Sequence, residues 1–290
     1  MSRSYLLLVM CLTVMVGFAA DCSRARVESM NKMNEGVVAA QQKRYVDAIK
    51  LLESAGAIDP SNDQVFWNLA IVHMEMRKFD RAKDDLQKAI AQNPESAGYQ
   101  EKLGTVTMEL EDWDGAKAAF EKAIEIDPEI FKAYYKLAQV AEHMDDQQSA
   151  LKYYTEAVKK GPRFLEAYSS LGRLYADLGY LDQATQVLQE ALKVALPKTE
   201  EEAQVHHLLG TVYQEQQKYD QAVGEFKAAL DVVPGMRDAL FSIGWTYNLV
   251  GNKEEAKRFL KKFVDVAGSE APAHYVKAAQ DKLNEIQEGF

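Results

Sequence analysis

Along most of this chain apolar residues fall three, four and seven positions apart, the spacing that gathers them on one side of a 3.6-residue helix. Within residues 97–130, Leu103, Gly104 and Thr107 make one stripe; Ala116, Phe120, Ala123 and Ile124 make a second. The polar pair Glu111-Asp112 separates them, so two amphipathic helices joined by a short turn are expected. The same arrangement returns at a fixed interval. Alanines stand at Ala48, Ala82, Ala116, Ala150 and Ala184, then at Ala222 and Ala256 after a shift of four residues. A second small position recurs as Gly36, Ala70, Gly104, Ala138, Gly172, Gly210 and Gly244. Prolines at Pro60, Pro94, Pro128 and Pro162 are 34 residues apart, and Pro234 follows 72 later. Self-similarity at such a period signals stacked repeats, each a single supersecondary unit.

The markers have physical reasons. A proline lacks the N–H that a helix would use and fixes φ, so each one ends the second helix of its unit. The small residues let two helix backbones approach, with Leu, Phe and Tyr filling the flanking space. A lone unit of this size buries too little apolar surface, so neighbours must stack. The period places seven units at 29–62, 63–96, 97–130, 131–164, 165–198, 203–236 and 237–270.

The pattern resembles the tetratricopeptide repeat. That family's signature is an aromatic, then Leu-Gly, Tyr, Ala, Phe, Ala and Pro at fixed offsets. The fifth unit carries Tyr168, Leu171-Gly172, Tyr175, Ala184, Leu188 and Ala191. The sixth carries Leu209-Gly210, Tyr213, Ala222, Phe226, Ala229 and Pro234, and the fourth Tyr134, Leu137-Ala138, Ala150, Tyr154, Ala157 and Pro162. The resemblance implies an all-α, right-handed superhelical solenoid of seven helix-turn-helix repeats, closed by a C-terminal capping helix over 271–287. On its apolar side that helix would carry Val276, Ala279, Leu283 and Ile286.

Departures from the signature fall mainly at the ends. The first unit has Lys32 and Glu35 at apolar places, as suits a face in water; the last has Phe263 for Ala and Gly268 for Pro. The extra residues Thr199-Glu200-Glu201-Glu202 read as a capping box that lengthens the next helix by a turn and alters the local curvature.

In this family the first helix of each unit lines a concave groove that takes an extended or helical partner segment. Carried onto this chain, the groove residues are Trp67, Asn68, Ile71 and Met74, then Lys102, Thr105 and Met108. Tyr135, Lys136 and Gln139 follow, then Arg173, and finally Phe241, Trp245 and Asn248. Trp67, Tyr135, Phe241 and Trp245 fall outside the intra-repeat stripe, which suits interface anchors or packing against the neighbouring unit. The clamp by which chaperone-binding relatives hold a carboxylate is incomplete. Asn68 and Lys102 supply fragments, but Met33, Val37 and Gly98 occupy the other places.

Residues 1–21 read as an export signal: Arg3 precedes an apolar run from Tyr5 to Ala20, too short at about 24 Å of helix for a roughly 30 Å hydrocarbon core. Three outcomes stay open: cleavage after Ala19, lipidation of Cys22 at a lipobox-like Ala19-Ala20-Asp21-Cys22, or an uncleaved anchor. Residues 22–28 form a short linker. Lipidation would hold the solenoid on the periplasmic side of the outer membrane; without it the chain is a soluble periplasmic protein.

Net charge of −10, with no basic run longer than a pair, argues against a nucleic-acid partner. No phosphate loop or metalloprotease motif occurs, and His73, His143, His206, His207 and His274 are scattered. Adjacent His206 and His207 diverge by about 100° on a helix, a poor metal pair. No catalysis, cofactor or metal is expected. The chain reads as a protein-binding scaffold of the bacterial envelope. Alternatives are a pilotin-like assembly factor for an outer-membrane secretin or type IV pilus, and an accessory subunit of a polysaccharide or cell-wall enzyme. Mass spectrometry of the mature protein is expected to find a lipid-modified Cys22 as its first residue; residues 20–22 intact and unmodified would remove the anchor.

Overall fold

The 34-residue period becomes an alternation of 13-residue and 14-residue helices. The computed structural model describes residues 24–268 and 272–288; the signal segment and Cys22 lie outside them. Helix α1 covers 24–41. It is followed by α2 (Tyr45–Ile58), α3 (Asp63–Glu75), α4 (Phe79–Gln92), α5 (Ala97–Glu109), α6 (Trp113–Ile126) and α7 (Phe131–His143). Then come α8 (Gln147–Lys160), α9 (Leu165–Asp177), α10 (Leu181–Val194), α11 (Glu200–Glu215) and α12 (Tyr219–Val232). The last are α13 (Arg237–Leu249), α14 (Lys253–Ala267) and α15 (Ala273–Glu288). No strand occurs among the described residues.

The chain divides into two compact units between Asp145 and Asp146, inside the fourth repeat. In the first unit α3 packs on α4 and α5 on α6, while α2 meets α3, α4 meets α5 and α6 meets α7. In the second, α8 through α15 pack in the same consecutive manner.

Each pair locks through one small residue facing one large one. A Cβ on Gly104 would lie 2.6 Å from the Phe120 ring, and one on Gly210 2.6 Å from the ring of Phe226. Both phenylalanines are fully buried, as are the repeating alanines Ala48, Ala82, Ala116, Ala150, Ala184, Ala222 and Ala256.

The turn inside each repeat is equally regular. Lys43, Arg77, Glu111, Asp145 and Gln217 have positive φ between 55° and 61°, and Gly179 and Gly251 take the same place. A left-handed residue here lets freed carbonyls at the helix end be satisfied: Arg77 N–H bonds Met74 O and Lys78 N–H bonds His73 O, both at 2.8 Å.

Two departures take the form their residues suggest. α11 runs 16 residues, and the Thr199 hydroxyl accepts from Glu202 N–H at 3.2 Å. The Glu202 carboxylate returns to the N–H of Lys198 at 2.6 Å, one residue earlier than in a standard capping box. In α15, Ala279 is fully buried, with Val276 and Leu283 packed beside it.

Gly104→Leu should force the Phe120 ring aside and cost about 1–3 kcal/mol. Peptide-resolved hydrogen exchange is expected to show lost protection between residues 63 and 143, with α11 to α14 still protected. Uniform loss across the chain would mean that stability is not local to repeats.

Candidate functional site

In the first unit α1, α3, α5 and α7 are the leading helices of their repeats, and α3, α5 and α7 carry the expected groove residues. Trp67 is half-buried and stacks on Tyr99 of the next repeat, with ring centroids 5.0 Å apart and planes at 29°. The Tyr99 hydroxyl donates to Asp63 Oδ2 at 2.9 Å, and Asn93 Nδ2 donates to the same oxygen at 3.0 Å. Burial, then the bond to Asp63, pushes the Tyr99 hydroxyl up to about 12. The tryptophan thus has a fixed neighbour across the repeat boundary while part of its ring stays open.

Around it the face is mostly polar and uncharged or internally paired. Asn68 Nδ2 donates to Gln64 O at 2.7 Å, and Thr105 Oγ1 donates to Glu101 O at 3.1 Å. Lys102 pairs with Glu101 at 3.2 Å. On α7 a short relay runs from Lys136 Nζ to Gln139 Oε1 (3.0 Å) and from Gln139 Nε2 to the Tyr135 hydroxyl (3.2 Å). Met74 lies against the buried cluster of Ala70, Ala82, Leu86 and Val106, and Met108 is half-buried.

Between α1 and α3 this face opens into a cavity of about 390 Å³. Asn68 and Ile71 line it, as expected, together with Val37, Ala40, Gln41 and Tyr45 from the first repeat. Those four were not among the expected site residues, yet Val37 stands 34 positions before Ile71 and Ala40 34 before Met74. The repeat offset was the signal that would have found Val37 and Ala40; Gln41 and Tyr45 correspond to Glu75 and Phe79, which the sequence did not single out.

The second unit is described by itself. Arg173 is exposed and pairs with Asp177 at 3.2 Å. Burial, and then the charge of Asp177, raises the pKa of Glu215. Phe241 stacks on Trp245 at 5.7 Å and meets Phe263 and Tyr275 edge-on at 5.2 and 5.0 Å. It lies nearer the core than its spacing suggests, because Phe263, standing where other repeats carry alanine, reaches across to it. Trp245 remains half-buried with Lys282 Nζ 6.0 Å from its ring, and Asn248 is half-buried beside it in sequence. Among the described residues no group of His, Cys, Asp or Glu is arranged to hold a metal.

His207, one of the scattered histidines, has a defined place on α11 that its spacing does not announce. Its Nε2 lies 3.2 Å from Ser242 Oγ, and its ring is 5.4 Å from that of Phe226. Burial holds its pKa below the ordinary histidine value, against the pull of Asp238 in the other direction.

Tetratricopeptide repeat family models match residues 39–104, 163–235, and 102–162 with 207–272. The chain is a tetratricopeptide repeat protein, a scaffold for protein interaction and not an enzyme. Among solved structures, the C-terminal part of a TPR repeat-containing protein from Cytophaga hutchinsonii is 15% identical with a TM-score of 0.69, covering 87% of this chain and 99% of that one. Pseudomonas aeruginosa pilF gives 18%, 0.60, 75% and 96%. YrrB, a TPR protein with an unusual peptide-binding site, gives 24%, 0.54, 67% and 97%. At these identities the likeness is one of fold. No curated protein matches the chain.

The depressed histidine has a pH consequence. The folded chain disfavours the proton on His207, so the neutral ring's contribution is intact above the ordinary value of 6.5 and is lost as pH falls through it toward the lower folded value. Melting temperature should therefore drop more steeply between about pH 7 and pH 5 in the wild type than in His207→Gln. Parallel curves for the two proteins would remove His207 as the cause.

Proposed function

We propose that this protein is an exported scaffold that holds an extended or helical segment of a partner against the leading-helix face of its repeats. The observation that carries this reading is the open face of the first unit. Trp67, Thr105 and Tyr135 are half-buried there, the Thr105 and Tyr135 hydroxyls are hydrogen-bonded within the protein, and a cavity opens beside Asn68 and Ile71. Half-buried aromatics beside satisfied polar groups suit an interface, since a partner covers apolar surface without stranding a donor or acceptor. The peptide-binding site of YrrB, on the same fold, is consistent with this use.

The envelope setting rests on the amino-terminal sequence: an apolar export signal followed by Cys22, with only six residues between that cysteine and the first repeat. A lipid on Cys22 would keep the groove close to a membrane.

A photo-crosslinking residue placed at Thr105 should yield partner adducts in whole cells, and the same residue at the exposed Lys117 of α6 should not. Thr105→Arg should leave melting within a few degrees and weaken capture by roughly thirtyfold, the equivalent of about 2 kcal/mol at an interface centre. Adducts at Lys117 alone, or undiminished capture by Thr105→Arg, would place binding elsewhere.

A further inference from the structure

The cavity between α1 and α3 has a sequence cause. Positions 34 apart occupy equivalent places in successive repeats, so Ala40 corresponds to Met74, and Val37 to Ile71. In the second repeat, Met74 lies over a buried cluster that includes Leu86 and Val106. The corresponding cluster one repeat earlier includes Leu52 and Val72, and the residue over it is Ala40. Alanine ends at Cβ where methionine continues through Cγ, Sδ and Cε. Above the buried Leu52 and Val72, an open space of about 390 Å³ walled by Val37, Ala40, Tyr45 and Ile71 stands where a thioether would.

The rim of this space is charged on two sides. Lys43 comes from the turn after α1, held with φ at 59°, and Glu75 comes from the end of α3. Both are exposed, and neither has an ion-pair partner among the described residues. Asn68 stands between apolar wall and solvent, its Nδ2 occupied by Gln64 O.

We propose that this pocket is an anchoring subsite for the partner segment, accepting a methionine or leucine side chain where Met74 sits one repeat further on. The side chain's neighbours in the partner are a basic residue facing Glu75 and an acidic residue facing Lys43. The proposal rests on the scaffold reading above. What favours this occupant is the protein's own filling of the equivalent place by a flexible, unbranched apolar side chain, together with the two unmatched rim charges. Burying one such side chain against Val37, Ala40 and Ile71 gives an anchor of the kind that dominates peptide recognition.

The test uses the full chain, methyl-labelled, titrated by NMR with four capped tripeptides: acetyl-Lys-Met-Glu-amide, acetyl-Glu-Met-Lys-amide and their Ala counterparts. Saturable shifts of the Val37, Ala40 and Ile71 methyls are expected with one methionine peptide, at least tenfold weaker with its Ala counterpart. Ala40→Met should fill the space from within, melt no lower than wild type and lose these shifts. Glu75→Lys, which leaves the pocket's shape alone, should weaken the preferred peptide severalfold, so the proposal stays exposed even if Ala40→Met folds poorly. Equal binding of the Ala peptides, binding that survives Ala40→Met, or no methyl shifts at all overturns it. A concentration-dependent dimer that Ala40→Met dissolves would make the occupant a second copy and also overturn it. Pocket methyls that shift on removal of residues 1–23 would assign the space to the chain's own leading segment, and the subsite would fall in that case too. Thr105 lies outside the pocket, so crosslinks there that persist in Ala40→Met would leave the scaffold standing while the subsite falls.

Discussion

The structure depends on one recurring contact, a small residue on the leading helix of each repeat against a large one on the following helix. Gly36 faces Leu52, Gly104 faces Phe120, Gly172 faces Leu188, Gly210 faces Phe226 and Gly244 faces Leu260. Every one of those large partners is fully buried. A side chain at the small position would need the volume that the large one already fills, and close-packed interiors have no slack to give. The contact fixes how near the two helices lie. It thereby fixes which side of the leading helix is used within its own repeat and which side is left for a neighbour or for a partner.

Since the lock is the same in each repeat, the differences among repeats lie in the residues that the lock does not constrain. Trp67 reaches the next repeat and stacks on Tyr99, whereas Glu101, its equivalent one repeat on, pairs with Lys102 of its own helix. Met74 fills the space beside its cluster, whereas beside Ala40 a cavity opens. Near the chain's end, Phe263 replaces a small residue and draws Phe241 inward, while Tyr275 of α15 meets the same ring. The aromatic contacts between repeats and the end-cap are thus made by departures from the repeat, against a background the repeat holds constant. The turns follow the same logic: five non-glycine residues accept a left-handed backbone because the helix-end hydrogen bonds require it.

How much of this was legible in the residues follows from the range of the forces involved. Helix spacing is a local consequence of apolar stripes, so the alternation of helices, the turn at Glu111-Asp112 and the prolines that end five of the repeats were all readable. The lengthening of α11 was readable as well, because Thr199 and Glu202 act within a single turn. The small position could be read because its 34-residue recurrence reports a packing constraint applied many times over.

Other features depend on which distant side chains happen to meet. The stripe rule sets Phe241 apart from the core, and only the folded chain brings Phe263 and Tyr275 against it. Nothing in the neighbourhood of His207 along the chain announces that its ring will sit half-buried near Phe226 and Ser242. The cavity beside Asn68 requires knowing that Val37, Ala40, Tyr45 and Ile71 leave a space between them once the helices are packed. Sequence alone determined the repeat, its helices and the side of each leading helix that carries the apolar stripe, because those follow from periodicity. Tertiary structure decided where the space beside a leading helix is open and where it is filled, because empty volume belongs to no single residue and exists only once neighbours are packed.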